Sequence, residues 1–210
     1  MRAASVAAGL LVALVLSTSA QGGASPDFTR ADLPGLSFGP ADAPPGTHYL
    51  RGISGARLLE REVEQGVSEI RIVLRQLRRR GYVTDYGSQY EATSRRSAIG
   101  FYETLALLFR SKRGAARGLN YLLGAHRLFF PPVRQIPARG LGEASWGIRG
   151  KQGGRFTVFV YAWRIGDLVQ LSTLSPNRRG VNASDNRRLA NQLEALAIEP
   201  PAGPAPVPSY

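Results

Sequence analysis

The stretch Phe156–Leu174, FTVFVYAWRIGDLVQLSTL, decides the fold. Its first part, Phe156–Trp163, is rich in β-branched and aromatic residues, which favour a strand. Ile165–Asp167 then makes a tight turn, and Leu168–Leu174 is predicted to return as an antiparallel hairpin partner. Because a hairpin pairs its two strands in antiparallel order, this pattern indicates that the sheet around it is antiparallel.

Three more strands are predicted upstream of the hairpin. Tyr82–Ala92 carries spaced aromatic residues among polar ones and is predicted to be an edge-like strand, weakened by Gly87. Ser97–Arg110 contains a longer apolar run and is predicted to be a buried strand. Leu141–Arg149 follows a glycine turn, and the turn Lys151–Gly154 joins it to the hairpin.

Helices are predicted from apolar residues that repeat at intervals of three or four. The pattern is clearest from Arg57 to Arg80, where one helix ends at a basic turn followed by Gly81. A second helix is predicted over Lys112–Leu123. A last helix runs to Ala197, with Ser184 or Asn182 as its N-cap. The predicted order α-β-β-α-β-β-β-α gives an α+β fold, an antiparallel sheet packed by helices on one face.

The ends of the chain are predicted to lie outside this domain. Residues 1–20 resemble a secretory signal peptide, because Arg2 precedes a short apolar run that ends in small residues. Residues 21–47 are expected to be a flexible lead-in, residues 48–199 a single domain, and residues 200–210 a Pro-rich tail. An uncleaved membrane anchor is the alternative to a cleaved leader.

The leader and the cysteine content together predict where the protein works. The chain contains no cysteine, so it has no lipid attachment point, no disulfide and no thiolate metal site. We therefore expect a secreted or extracytoplasmic protein, in the periplasm or cell wall, that is not a lipoprotein.

The charge is strongly positive and comes almost entirely from arginine. Lys and Arg number 27 against 15 Asp and Glu, a net charge of +12. Arginine binds phosphate and carboxylate groups well, although a GC-rich genome or a solvated surface is the simpler explanation of such a composition. If the clustered arginines converge on one face, they would form an anion-binding surface for an envelope polymer or lipid. These arginines are Arg78, Arg79, Arg80, Arg95, Arg96, Arg178, Arg179, Arg187 and Arg188.

Residues with catalytic or metal-binding potential are few. His48 and His126 lie in unrelated contexts without a paired-ligand spacing, so neither a metal site nor a cofactor is predicted. The chain also lacks the G-x-S-x-G motif of a hydrolase nucleophile. Glu143 is the most interesting acid. Its turn favours a structural role, with its carboxylate bound to backbone amides, over general acid-base catalysis.

Several local phrases resemble a diffuse group of secreted proteins of high-GC Gram-positive bacteria, which includes sensor-like domains and lipoproteins of the LpqN type. The phrases are LRRRGY at Leu77–Tyr82, LLFRSKRGAARGL at Leu107–Leu119, GLGEASW at Gly140–Trp146 and WRIGDLV at Trp163–Val169. The resemblance covers roughly residues 50–198 and implies a PsbP-like α+β fold. It further implies a ligand-binding or scaffolding module, without a known reaction.

Three function classes remain open. The first is a non-enzymatic envelope module that binds a small apolar ligand in a groove between sheet and helices, which predicts an apolar cavity. The second is an electrostatic tether to anionic wall polymer or membrane, and the third is a hydrolase that uses Glu143. Nucleic acid is not expected as a partner, and the oligomeric state and the ligand stay open.

Overall fold

The fold is built on one antiparallel sheet. The computed structural model describes residues 27–177 and 180–198. The strands are β1 Thr47–Tyr49, β2 Gly55–Ala56, β3 Tyr82–Ala92, β4 Ile99–Phe109, β5 Arg134–Ile136, β6 Ala144–Gln152, β7 Phe156–Ile165 and β8 Leu168–Pro176. They are arranged in the order β1-β3-β4-β8-β7-β6-β5, and β2 also pairs with β3. The predicted α+β class and antiparallel sheet are confirmed.

Helices cover both faces of the sheet, whereas the sequence predicted them on one. They are α1 Leu58–Glu64, α2 Ser68–Arg78, α3 Lys112–Phe129 and α4 Ala183–Ile198. Along β7, Val160 packs in the core under α1, α2 and α3, while Tyr161 and Trp163 pack in the core under α4. Because apolar side chains alternate toward both faces of β7, each face needs its own cover.

The predicted hairpin is present. Ile165 pairs with Leu168 across the turn, and Gly166 has a φ of 58°, a left-handed conformation that glycine adopts without strain. At the other end of the chain, Asn182 caps α4, because its Oδ1 accepts a hydrogen bond of 2.8 Å from the amide of Ser184. Asp185 returns a bond of 2.9 Å to the amide of Asn182. The strongest local signals of the sequence therefore give the expected elements.

The single helix predicted from Arg57 to Arg80 is wrong, since the chain forms two helices there. The break lies at residues 65–67, where Gly66 has a φ of 93°. The spacing of three and four residues places Val67 on the apolar face of the predicted helix, but 39% of this residue is exposed. The Asp85 carboxylate accepts a hydrogen bond of 3.0 Å from the amide of Leu59 and so holds the start of α1 against β3.

The predicted flexible lead-in is wrong for its second half. Leu33 and Leu36 form a 3₁₀ turn, and each is only 2% exposed in the core under α4. The Leu36 carbonyl accepts a hydrogen bond of 3.0 Å from Gln170 Nε2, which ties this turn to β8. A four-residue turn is too short to show periodicity, so its packing left no pattern in the sequence. The leader and the Pro-rich tail lie outside the described residues.

Two further elements differ from expectation in ways that shape the site. Tyr82–Ala92 is an interior strand, because β1 and β2 pair along the side that was predicted to be an edge. The helix that starts at Lys112 continues beyond the predicted Leu123 to Phe129. This extra turn and a half carries His126 and Phe129 over the sheet.

Two glycines of α3 give a matched test of the packing. A Cβ on Gly118 would lie 2.7 Å from Cε1 of the buried Phe109 ring, whereas a Cβ on Gly124 would meet nothing within 4 Å. Gly118→Ala should therefore lower the free energy of unfolding by about 1–3 kcal/mol. Gly124→Ala should raise it by about 0.5–1 kcal/mol, since alanine is the better helix former. Urea denaturation of both variants measures this, and equal effects at the two positions would contradict the packing of α3 on Phe109.

Candidate ligand-binding cavity

A cavity of about 470 Å³ lies between the sheet and the helices α1, α2 and α3. Its floor is formed by β3, β4, β7 and β8, whose side chains alternate and so point every second residue toward the helices. Most of the lining is apolar, from the sheet and from all three helices: Leu59, Ile70, Val73, Phe101, Leu105, Leu122, Ala125, Phe129 and Leu171. The groove predicted between sheet and helices is thus a cavity with mostly apolar walls.

A small polar group interrupts this apolar lining. Gln89, Glu103 and Thr173 lie side by side across β3, β4 and β8, because the strand register pairs Gln89 with Glu103 and Glu103 with Thr173. Glu62 reaches the same place from α1. The amide nitrogen of Gln89 donates to both acids, over 3.1 Å to Glu62 Oε1 and 2.6 Å to Glu103 Oε2. Two carboxyl groups therefore share one donor inside the cavity.

The surroundings of these acids favour their protonated forms. Burial raises the pKa of Glu103 to about 8, with repulsion from Glu62 and Asp85 adding to the shift and the hydrogen bond from Gln89 opposing it. Burial also raises the pKa of Glu62, against the hydrogen bond from Gln89 and the charge of Arg61. Near neutral pH, Glu103 is therefore mostly uncharged in the empty cavity.

His126 forms part of the wall on α3. Its Nδ1 lies 2.8 Å from the carbonyl oxygen of Leu122, which can only accept, so Nδ1 carries the hydrogen and Nε2 is the free acceptor. The ring packs against Trp146 and Phe130, with centroids 5.3 and 5.7 Å away. Burial lowers the pKa of His126 to about 4, so the ring is neutral at physiological pH.

Among the arginines singled out from the sequence, the groups that the structure describes lie on separate parts of the protein. Arg78, Arg79 and Arg80 end α2, just before β3 begins, whereas Arg95 and Arg96 lie in the turn after β3 ends. Since β3 is 11 residues long, the two groups are about 30 Å apart. Arg187 and Arg188 belong to α4 on the opposite face. Arg178 and Arg179 lie outside the described residues.

Several of these arginines already have partners within the protein. Arg78 pairs with Glu60 at 2.8 Å, and the guanidinium of Arg80 lies 4.4 Å from the centre of the Tyr121 ring. Arg187 Nη2 donates to the carbonyl of Arg139 over 2.7 Å. The described arginines thus act as separate surface and helix-end charges.

Glu143 holds the hairpin turn. Its Oε2 lies 2.6 Å from Arg164 Nη2, and its Oε1 accepts a hydrogen bond of 2.8 Å from the amide of Gly166. These contacts join the segment before β6 to the β7–β8 turn, which is the structural role that the sequence favoured for this acid. They do not place Glu143 in the cavity.

Neither a metal site nor a membrane-spanning helix is found among the described residues. No group of three or more His, Cys, Asp or Glu side chains within residues 27–177 and 180–198 could hold a metal ion. Over the same residues, no helix combines the length and the apolar character needed to cross a membrane. His48 lies exposed on β1, away from the cavity.

Glu62, Gln89 and Glu103 were not predicted as site residues from the sequence. One signal was present, since Glu103 is the lone acid within the apolar run of a strand that was predicted to be buried. A charged residue at such a position is costly unless it has a partner or a function. Glu62 gave no such signal, because its neighbours on α1 are themselves charged.

Comparisons with known proteins include a structural likeness to an extracellular domain. No family model matches the chain, and no curated protein matches its sequence. The extracellular domain of PknH from Mycobacterium tuberculosis is similar in structure with a TM-score of 0.40 and 6% sequence identity. The match covers 57% of this chain and 66% of that domain. The fold and the cavity themselves define an α+β domain with an antiparallel sheet and a mostly apolar cavity between the sheet and its helices.

Proposed function

We propose that this chain is a non-enzymatic ligand-binding module of the cell envelope, and that its cavity binds a small, largely apolar molecule. The observation that carries the proposal is the cavity of about 470 Å³ between the sheet and α1, α2 and α3. Pockets for small ligands usually measure about 300–1,000 Å³ and combine apolar walls with a few polar groups. Gln89, Glu62, Glu103 and His126 are those polar groups here.

The hydrogen-bond partners of the acids and of His126 favour binding over catalysis. Glu143, the acid proposed for a hydrolase, is engaged with Arg164 and the Gly166 amide. In the cavity, Gln89 bridges Glu62 and Glu103. His126 is oriented by a backbone carbonyl rather than by a carboxylate, unlike the histidine of a catalytic triad.

Ligand binding is also favoured over an electrostatic tether. The described arginine groups lie at opposite ends of β3 and on opposite faces of the sheet, so they do not combine into one anion-binding surface. The extracytoplasmic location is proposed from the leader-like residues 1–20 alone.

A fluorescence titration with N-phenyl-1-naphthylamine, a neutral apolar dye, tests the proposal. We expect saturable binding to the full chain with one dye per protein. Ala125→Leu should weaken it at least tenfold, because Ala125 lines the cavity and a larger side chain would occupy part of it. Gly124→Ala is the matched control, since this neighbouring glycine is exposed and its added methyl group meets nothing.

Two results would overturn the proposed function. The first is a wild-type protein that shows no saturable dye binding. The second is equal binding by wild type and Ala125→Leu when both have the same circular dichroism spectrum, because the dye would then bind outside the cavity.

A further inference from the structure

Each acid of the cavity has one oxygen that accepts from Gln89 and one oxygen without a donor among the described residues. Glu62 Oε1 and Glu103 Oε2 both accept from Gln89 Nε2. Within the described residues, Glu62 Oε2 and Glu103 Oε1 accept no further side-chain or backbone hydrogen bond. A bound group with several N–H donors would satisfy both oxygens at once, and an ammonium group carries three.

The acids of the cavity also lack a cation. Among the ion pairs of the described residues, none within 4.0 Å includes Glu62 or Glu103. Arg61 is the cation that influences Glu62, but its Nη2 donates to the carbonyl of Ile53. The other titratable groups near Glu103 are Asp85, which repels it, and His126 across the cavity. A cation beside these acids would therefore come from outside the protein, and it would favour their ionised forms.

The rest of the cavity suits a hydrocarbon. Phe101, Leu105 and Leu171 of the sheet face Val73 and Leu122 of the helices across it. A free metal ion or a small hydrated cation would gain nothing from these walls, whereas an alkyl or aryl group would be removed from water.

Building on the proposed function, we infer that the ligand is a cationic amphiphile, an amine with a hydrocarbon part. Its ammonium group binds between Glu62 and Glu103, and its hydrocarbon part lies along the apolar wall that α2 and α3 form with the sheet.

Three eight-carbon probes that differ only in the head group test this inference. Octylamine, 1-octanol and octanoate are used to displace N-phenyl-1-naphthylamine from the full chain at pH 8.5, where Glu103 is largely ionised. Octylamine should bind at least about tenfold more tightly than 1-octanol, since hydrogen bonds between charged groups are worth that much. Octanoate should bind most weakly, because its charge repels both acids.

Glu103→Gln should abolish the preference for the amine while the dye still binds. Glu64→Gln is the matched control, because it removes an exposed acid from the same helix as Glu62 without changing the cavity. Should Glu103→Gln fail to fold, Glu62→Gln serves the same purpose. Equal binding of octylamine and 1-octanol to the wild type, or a preference that persists in both cavity variants, would overturn the inference. In either case, saturable dye binding would leave the proposed function intact.

Proton release gives a second readout. At pH 7, Glu103 is mostly protonated in the empty cavity, so binding of an ammonium group should drive its proton into the buffer. Calorimetry of octylamine binding in phosphate and in Tris should therefore give different heats for the wild type and equal heats for Glu103→Gln. Equal heats for the wild type would contradict a carboxylate–ammonium contact at this residue.

Discussion

Replacing Leu36 by alanine should lower the free energy of unfolding by about 2–4 kcal/mol, a large part of the stability of a domain of this size. Leu36 is only 2% exposed and packs in the core under α4. Its carbonyl accepts from Gln170, whose side-chain oxygen in turn accepts a bond of 3.0 Å from Trp163 Nε1. Loss of the leucine side chain would leave a cavity beside these buried hydrogen bonds.

Urea denaturation followed by tryptophan fluorescence measures the effect, because Trp163 lies in the same core. Leu128→Ala is the matched control. Leu128 is 80% exposed on α3, so its truncation should change the stability by less than about 0.5 kcal/mol. If Leu36→Ala and Leu128→Ala had equal, small effects, the 3₁₀ turn would not be packed on the sheet, and the segment would behave as the flexible lead-in that its composition suggested.

The contrast between this turn and the hairpin shows which parts of the fold can be read from the sequence. Phe156–Leu174 could be predicted because β-branched and aromatic residues fill two strands around a turn with Gly166. Leu33 and Leu36 could not, because a single turn rich in Pro and Gly has the composition of a loop whether or not it packs. The break at Gly66 was hidden for a related reason. The apolar spacing continues across it, although the two helices that share this spacing are separate.

The candidate site is harder to predict than the fold because it depends on strand register. Gln89 and Glu103 are neighbours only because β3 and β4 pair in one particular register, and a shift by one residue would place the two side chains on opposite faces of the sheet. Glu62 reaches the same cavity from α1, the short helix that ends before Gly66. From the sequence, the isolated acid Glu103 in an apolar strand was a usable signal. Its partners were not predictable, since they come from three separate elements.

Glu103 should make the stability of the empty protein fall as the pH rises above about 6.5. Its pKa is about 8 in the folded protein, against an ordinary value of 4.5. Between these values the folded state keeps a proton that the unfolded state has lost, so rising pH favours unfolding until the folded-state pKa is passed. From pH 6.5 to pH 9 this amounts to about 2 kcal/mol, at about 1.4 kcal/mol for each pH unit below the folded-state pKa.

Other groups contribute to the pH dependence as well. Burial lowers the pKa of His126 from its ordinary value of 6.5 to about 4, so this residue makes stability rise with pH until the unfolded chain has lost its proton, slightly above pH 6.5. Burial raises the pKa of Asp85 to about 6 and also raises the pKa of Glu62, so both acids act in the same direction as Glu103. Denaturation curves at pH 6.5, 7.5, 8.5 and 9 therefore give the part due to Glu103 by comparison of the wild type with Glu103→Gln.

Glu103→Gln should remove most of this pH dependence, because the amide keeps an oxygen that accepts from Gln89 but cannot ionise. Glu64→Gln, which removes an exposed acid, should keep the wild-type slope. Identical slopes for wild type and Glu103→Gln would mean that the acid ionises as freely in the fold as in the unfolded chain. An ammonium ligand would supply the cation that Glu103 lacks. Saturating octylamine should therefore restore most of the stability that the wild type loses at pH 9, whereas 1-octanol should stabilise it equally at pH 6.5 and pH 9.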